Sequence, residues 1–204
     1  MRRVLFNVWR GVERVGIRVS TEGPPQAPTR AEREEMDALV AGARTEGGVI
    51  DASTLAYPAH VLLTHLVERH GLLLHGSDHL DLDVVEPRPA RDFSTQVDVV
   101  AACDDGIWPL FYAVVARDRI DGVFTACMHL GRRTSRRRFY MFRVFGADPG
   151  LETTWTNGAV YAVARDGFRR EWGNEWLRGA EVTPVLRVLV GPGDFPLRHV
   201  VVRS

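Results

Sequence analysis

The order of helical and strand patterns along this chain constrains its fold more than any other feature. Thr29 and Glu32 form a capping box ahead of apolar residues at helical spacing, and a second helix is expected from Pro58 to His70. Apolar runs typical of strands follow, at residues 97–103, 123–129, 139–145, 158–163, 181–190 and 197–202. Early helices and many late strands predict an α+β domain with a split, mostly antiparallel β-sheet.

A short apolar run between the second helix and the later strands ends in His75-Gly76-Ser77. Three consecutive leucines before His75 indicate a buried strand, and Gly76 permits close approach of a ligand to the backbone. We expect these three residues to form a turn at the mouth of a cleft, where binding residues concentrate. A hydrogen-bonded structural histidine is the alternative interpretation of His75.

The strand at residues 97–103 leads directly into a helix. Asp104 or Asp105 is expected to cap this helix, which runs through Ile107 and Val115. Pro109 falls in its first turn, where the missing N–H costs nothing. The pattern predicts a strand, an acidic turn and an apolar, aromatic helix in succession.

Composition places the chain among ordinary globular proteins. Of its 204 residues 45% are hydrophobic and 25% charged, and 26 basic residues cancel 26 acidic ones. This balance gives no overall electrostatic reason to expect a nucleic acid or a membrane as partner. We expect a domain over residues 57–204, preceded by an N-terminal segment over residues 1–56 with short strands, a proline linker and one helix.

Neither a leader sequence nor an apolar run long enough to cross a membrane is recognisable, so a soluble, cytoplasmic protein is expected. Cys103 and Cys127 lie in apolar surroundings without Cys-x-x-Cys spacing, which argues against a zinc site or a disulfide framework. Both thiols are expected to be reduced and buried.

Histidines recur every five residues, at His60, His65, His70 and His75. Five helical steps of about 100° place successive side chains on different faces, whereas helical metal pairs use spacings of three or four. No metal site is therefore expected among them.

A strongly basic run separates two of the predicted strands. A solvated hairpin tip explains this basic run more simply than a surface for a phosphate-bearing partner does. The run is the one local signal in the sequence for a nucleic acid as partner. Its five arginines are Arg132, Arg133, Arg136, Arg137 and Arg138.

Three motifs stand in a definite order: His75-Gly76-Ser77 at a strand end, a strand-to-helix unit around Ala101, and Glu181 at the start of a late strand. This order resembles the ADP-ribosyltransferase superfamily, particularly its diphtheria-toxin-like and poly(ADP-ribose)-polymerase-like branch. The sequence departs from the family at Ala101, where the family has a tyrosine.

The resemblance implies NAD as a substrate and assigns roles to the motif residues. His75 would hydrogen-bond the adenosine ribose, Gly76 would hold the nicotinamide carboxamide through its backbone, and Ser77 would support the nicotinamide ribose. Glu181 would be the catalytic residue, stabilising positive charge as the glycosidic bond breaks. The alternative interpretation is that Glu181 is an exposed residue of the strand without a catalytic role.

The family tyrosine stacks on the nicotinamide ring, so Ala101 leaves that contact to another aromatic residue. Trp108, Phe111 and Tyr112 are the candidates. ADP-ribosyl transfer to an unknown acceptor, or NAD hydrolysis, is the function that the resemblance implies.

Two other functions remain open from the sequence. An RNA 2′-phosphotransferase-like enzyme also uses a His-Gly turn and NAD, and the basic run would line its phosphate pocket. A catalytically inactive binding module on the same fold would account for Ala101. A serine hydrolase is the weakest alternative, because Ser77 is not in a Gly-x-Ser-x-Gly motif.

Overall fold

The structure, a computed structural model, describes residues 20–25, 27–91, 96–131, 137–171 and 173–203. Within these ranges the fold is α+β with mostly antiparallel pairing, as the order of sequence patterns predicts. The helices are α1 (Arg30–Thr45), α2 (Ala59–His70) and α3 (Trp108–Val114). The strands are β1 (Thr21–Glu22), β2 (Val49–Asp51), β3 (Leu73–Ser77), β4 (Arg88–Arg91), β5 (Gln96–Cys103), β6 (Gly122–Leu130), β7 (Arg137–Phe145), β8 (Gly158–Val163), β9 (Arg169–Arg170), β10 (Glu175–Arg178), β11 (Leu186–Val190) and β12 (Val202–Arg203).

These strands form two sheets. The larger, eight-stranded sheet has the order β2-β11-β8-β3-β5-β10-β9, with β4 also paired to β5. In the smaller, four-stranded sheet β7 pairs with β1, β6 and β12. The β2–β11 and β7–β12 pairs are parallel, and the other pairs among the described strands are antiparallel.

The ends of α1 and α2 follow from their local sequence. Thr29 Oγ1 accepts the backbone N–H of Glu32, and the Glu32 carboxylate accepts the backbone N–H of Thr29, so the predicted capping box is present. Helix α2 ends at Gly71, whose φ of 68° is easily adopted by a residue without Cβ. Pro58 precedes α2 as its N-cap rather than as its first helical residue.

Helix α3 lies at the centre of the main core. Its residues Leu110, Phe111 and Val114 are fully buried. Met36 and Val40 of α1 belong to the same apolar cluster, so the described part of the N-terminal segment contributes to this core. Because α1 and α3 share one apolar cluster, α3 is held in place against the strands that it covers, β3 and β8.

Two glycines allow α3 to lie against the larger sheet. A Cβ at Gly76 of β3 would lie 2.0 Å from the carbonyl oxygen of Pro109, and one at Gly158 of β8 would lie 1.8 Å from that of Ala113. These positions require glycine because the helix backbone occupies the space of a side chain.

His75-Gly76-Ser77 is not the turn that the sequence predicts. All three residues lie within β3, which pairs with β8 as far as Ser77 opposite Ala159. The strand continues through Gly76 because this residue pairs with β8 and, having no Cβ, does not collide with the α3 backbone.

The predicted strand from Glu181 is also wrong at its start. Strand β11 begins at Leu186. Pro184 lacks the N–H that a ladder requires, and Val182 forms only an isolated bridge with Val85. Glu181 therefore lies on an exposed segment before the strand.

The predicted strand at residues 197–202 is also wrong at its start. Residues 198–200 form a 3₁₀ turn, since Leu197 and Val201 are buried at helical rather than strand spacing. Strand β4, which among the described strands pairs only with β5, can include Pro89 because it lies at the edge of the sheet.

Several predicted features lie outside the described residues. They are the short strands of the N-terminal segment, at residues 4–19, and Arg132, Arg133 and Arg136 of the basic run. In the part of the chain that is described, no helix combines the length and apolar character needed to cross a membrane.

Candidate functional site

His75 projects from β3 and is held by one backbone group. The distance between its Nδ1 and the carbonyl oxygen of Ala101 is 2.7 Å. Because a carbonyl oxygen only accepts, Nδ1 carries the proton and Nε2 keeps its lone pair. Burial lowers the pKa of His75, opposed by the bond to Ala101 and assisted by the charges of Arg117 and Arg88. His75 is therefore neutral at pH 7, with Nε2 able to accept a hydrogen bond or a proton.

The larger sheet is split beside His75. Among the described residues, β3 pairs with β5 only at Leu74 opposite Cys103, whereas β3 stays paired with β8 through Ser77. Farther along, β5 pairs with β4, with Arg88 opposite Val99. The His75 side chain spans the opening between β3 and β5 by its bond to Ala101. The described pairing of β3 with β5 thus ends next to His75.

A pocket of about 260 Å³ lies at this split. That volume is slightly below the usual range of small-molecule sites, and it matches one sugar or one heterocycle better than a whole dinucleotide. Its lining comes from β3, from β4 and from the irregular segment between them: His75, Asp81, Leu82, Asp83, Val84, Val85, Glu86 and Arg88.

The irregular segment that forms the pocket wall is tied to the sheet at two points. The hydroxyl of Tyr161 in β8 donates to the carbonyl of His79 over 2.7 Å and accepts the N–H of Leu82 over 3.0 Å. At the other end, Val85 and Val182 exchange two backbone hydrogen bonds. These ties hold residues 79–85 beside His75, where several of them line the same pocket.

The pocket lining carries more negative than positive charge. Asp81, Asp83 and Glu86 contribute three carboxylic acids, and Arg88 contributes one guanidinium. Ionised carboxylates only accept hydrogen bonds. The lining therefore favours a ligand with hydroxyl donors or a positive charge.

Gly76 and Ser77 do not line this pocket. The α3 backbone covers Gly76 on the side where a Cβ would project. Ser77 is buried, and its hydroxyl accepts the backbone N–H of His79 over 3.2 Å. Of the three motif residues, the structure brings only the His75 side chain to the cavity.

The predicted aromatic residues are engaged elsewhere. Trp108 Nε1 donates to Thr125 Oγ1 over 2.9 Å, and the Tyr112 hydroxyl lies 2.7 Å from the same atom. The Arg117 guanidinium lies 5.1 Å from the Tyr112 ring centroid. Phe111 is fully buried in the main core. Neither Trp108 nor Tyr112 lines the His75 pocket.

Glu181 lies near the pocket wall without lining it. It is exposed, and it directly precedes Val182, which bridges to the pocket residue Val85. The carboxylic acids that share the cavity with His75 are those of Asp81, Asp83 and Glu86. The spacing of Asp81 and Asp83 in the sequence gives no signal that they share a cavity with His75.

Comparison with known proteins gives no relative. No family model matches the chain, and no match is found among curated proteins or solved structures.

A second polar cluster surrounds Asp105, which is fully buried. Its carboxylate lies 2.7 Å from His129 Nε2 and accepts the Tyr140 hydroxyl over 2.8 Å. It also caps α3 by accepting the backbone N–H groups of Ile107 and Trp108, as the sequence predicts. Burial acts to raise its pKa, but the bonds and charge of His129 and the two N–H groups lower it overall. Asp105 is an ionised anchor between the sheets.

Two thiols complete the surroundings of Asp105. Burial raises the pKa of Cys103 and Cys127 well above the ordinary value, so neither is a thiolate at pH 7. Asn174 Nδ2 lies 3.5 Å from the Cys127 sulfur. This cluster has the character of a buried structural network rather than of a nucleophilic site.

Two groups of side chains have metal-ligating atoms close together. Asp105, Cys127 and His129 form one, and Asp37, His65 and His70 form the other, each with ligand atoms within 4.8 Å of one another. The expectation that successive histidines of the five-residue repeat face apart therefore fails for His65 and His70. Five residues rotate a helix by about 140°, and long side chains on both flanks of α2 still converge on Asp37 of α1.

Proposed function

We propose that this protein binds NAD at the His75 pocket and catalyses ADP-ribosyl transfer or NAD hydrolysis. The observation that carries the proposal is a neutral His75 at the split of the sheet, with its Nδ1 proton committed to Ala101. His75 lines a cavity of sugar size together with three carboxylic acids. A ribose offers hydroxyl donors to both kinds of acceptor.

The carboxylic acids of the pocket suit the charge that develops in this reaction. As the bond between the ribose C1′ and the nicotinamide nitrogen breaks, nicotinamide leaves with the electron pair and the ribose becomes cationic. A carboxylate of Asp83 or Glu86 beside C1′ would stabilise that cation most strongly in the transition state. Water or an acceptor hydroxyl then forms the new bond to C1′ and passes its proton to a carboxylate.

Glu181 retains a proposed role at the rim of the same site. Its neighbour Val182 is bonded to Val85 in the pocket wall, so a ligand that extends beyond the cavity would reach Glu181. NAD is larger than a cavity of about 260 Å³, which requires such an extension.

A binding module without catalysis is the second candidate. It is favoured by the engagement of Trp108 and Tyr112 with Thr125, since no aromatic ring lines the described pocket to hold nicotinamide. A phosphotransferase gains no support from the described arginines of the basic run: Arg137 is paired with Glu22, and Arg138 with Glu68.

Calorimetric titration with NAD tests the proposal. The folded wild-type protein is expected to bind NAD, His75→Ala to abolish binding, and the exposed His199→Ala to leave it unchanged. Nicotinamide release, followed by chromatography, separates catalysis from binding. No binding by the wild type at about 1 mM NAD, the upper end of ordinary KM values, would overturn the NAD proposal. Unchanged binding by His75→Ala would overturn the site.

A further inference from the structure

We propose that Asp37, His65 and His70 form a binding site for a divalent transition-metal ion of the zinc class, joining α1 to the end of α2. The site is separate from the His75 pocket and does not depend on the function proposed for it. Two imidazoles and one carboxylate are a ligand set that suits zinc, cobalt or nickel better than magnesium or calcium.

The distances are close to those of a metal centre. Asp37 Oδ1 lies 2.8 Å from His65 Nε2 and 3.1 Å from His70 Nε2. Ligand atoms on one tetrahedral zinc ion lie about 3.3 Å apart when the bonds are about 2.0–2.1 Å long. The two distances to Asp37 are within about 0.5 Å of that value, and the ligand atoms of all three residues lie within 4.8 Å of one another.

The state of His70 is the independent observation that points to a ligand. Its Nε2 is buried and has no hydrogen-bond partner, although it lies near Asp37. A buried nitrogen without a partner is costly, and coordination would satisfy it.

The surroundings leave room for a fourth ligand. Asp37 has a side-chain exposure of 38%, whereas His65 is almost fully buried at 2%, so the site is anchored inside and open to water outside. Arg69 Nε lies 3.6 Å from Asp37 Oδ2, which orients the carboxylate from its other oxygen. Arg69 and Arg44 also bring positive charge near the histidines, which limits the affinity for a dication.

Metal binding here would have a structural consequence. His70 is the last residue of α2, and β3 with His75 begins three residues later. A bound ion would fasten this end of α2 to α1, so binding to the folded state alone raises its stability by mass action.

The group around Asp105 is the competing site for the same metals. Its carboxylate already accepts the Tyr140 hydroxyl and two backbone N–H groups, so coordination there would disrupt the α3 cap. A thiolate ligand also gives cobalt a sulfur-to-metal absorption band, whereas a His₂Asp site does not. The two sites are thus distinguishable by spectrum.

The test uses the full chain after treatment with a chelator, titrated with Zn²⁺ by calorimetry and with Co²⁺ by visible absorption. We expect one equivalent of metal, a rise in Tm and no sulfur-to-cobalt band. His70→Gln and Asp37→Asn should each weaken metal binding at least about tenfold. Mutation of a residue that only hydrogen-bonds to a metal ligand already lowers the affinity by about that factor. The exposed His199→Gln is the matched control.

Three outcomes would overturn the site: no binding of Zn²⁺ at submillimolar concentration by the folded protein, wild-type affinity in both variants, or a sulfur-to-cobalt band that Cys127→Ser removes. Circular dichroism without metal establishes that each variant is folded. If Asp37→Asn does not fold, His70→Gln decides the outcome, because it removes one ligand nitrogen and leaves Asp37 and His65 in place.

Discussion

His75 and Ala101 are 26 residues apart in sequence, and the imidazole of the first bonds the carbonyl of the second across the split between β3 and β5. This contact fixes the tautomer, the orientation and the position of the imidazole at once. It also closes the gap that the diverging strands would otherwise leave in the sheet.

The first prediction concerns the tautomer of His75. Long-range ¹H–¹⁵N correlation spectra should show the proton on Nδ1 at pH 7 and a pKa below the ordinary 6.5, because burial disfavours the imidazolium. An Nε2–H tautomer, or titration at or above 6.5, would contradict the assignment of Nε2 as the acceptor. His199, which is exposed, serves as the internal reference.

The second prediction concerns the close contact of α3 with β3. Gly76→Ala should lower the free energy of unfolding by about 1–3 kcal/mol or more, since its Cβ would collide with the Pro109 carbonyl. Gly42→Ala in α1 is the matched control: apart from its chain neighbours and the backbone of its own helix, nothing lies within 4 Å of a Cβ at this position. That change should stabilise the protein by about 0.5–1 kcal/mol through helix propensity. Urea denaturation measures both, and equal effects would refute the packing argument.

The third prediction concerns the tie between Tyr161 and the pocket wall. Tyr161→Phe leaves the N–H of Leu82 without its acceptor and should cost about 1–3 kcal/mol. Hydrogen exchange should accelerate at residues 79–82. Tyr57→Phe is the control, because the buried Tyr57 hydroxyl has no hydrogen-bond partner and its loss should be neutral or stabilising. Unchanged exchange in Tyr161→Phe would show that the segment is held by other contacts.

The fourth prediction concerns the pH dependence of stability at Asp105. Its pKa is lower in the folded protein than the ordinary 3.8, so the unfolded chain binds the proton more readily. The stability that ionised Asp105 contributes is therefore complete above about pH 4 and disappears as the pH falls through the lowered folded value.

Asp105→Asn should remove that dependence and lower the stability at pH 7 by about 3–5 kcal/mol, as breaking a buried charged pair does. Tyr140→Phe, which removes one neutral donor to the same carboxylate, should cost only about 0.5–3 kcal/mol. The measurement is the denaturation midpoint of both proteins from pH 2 upwards. If the midpoints of wild type and Asp105→Asn fell in parallel as the pH was lowered, the prediction would be contradicted.

Local sequence was sufficient for the features that depend on neighbouring residues. The capping box of Thr29 and Glu32, the stop at Gly71 and the cap supplied by Asp105 each join groups at most three residues apart, or use a preference of one residue. The α+β class followed in the same way, since apolar periodicity reflects which face of each element is buried.

Tertiary structure decided what the candidate sites contain. The carboxylic acids around His75 line the pocket because two residues distant in sequence, Tyr161 of β8 and Val182 before β11, hold the irregular segment in place. Glu181 was predicted to open a strand and lies before it, because Pro184 and the Val85–Val182 bridge interrupt the ladder there.

The meeting of Asp37 with His65 and His70 likewise depends on how α1 packs against α2. Sequence determined the helices, the strands and the identity of their chemical groups, because those depend on short-range preferences. Which groups meet was decided by long-range packing, where the burial of apolar surface selects one arrangement of elements that no local pattern specifies.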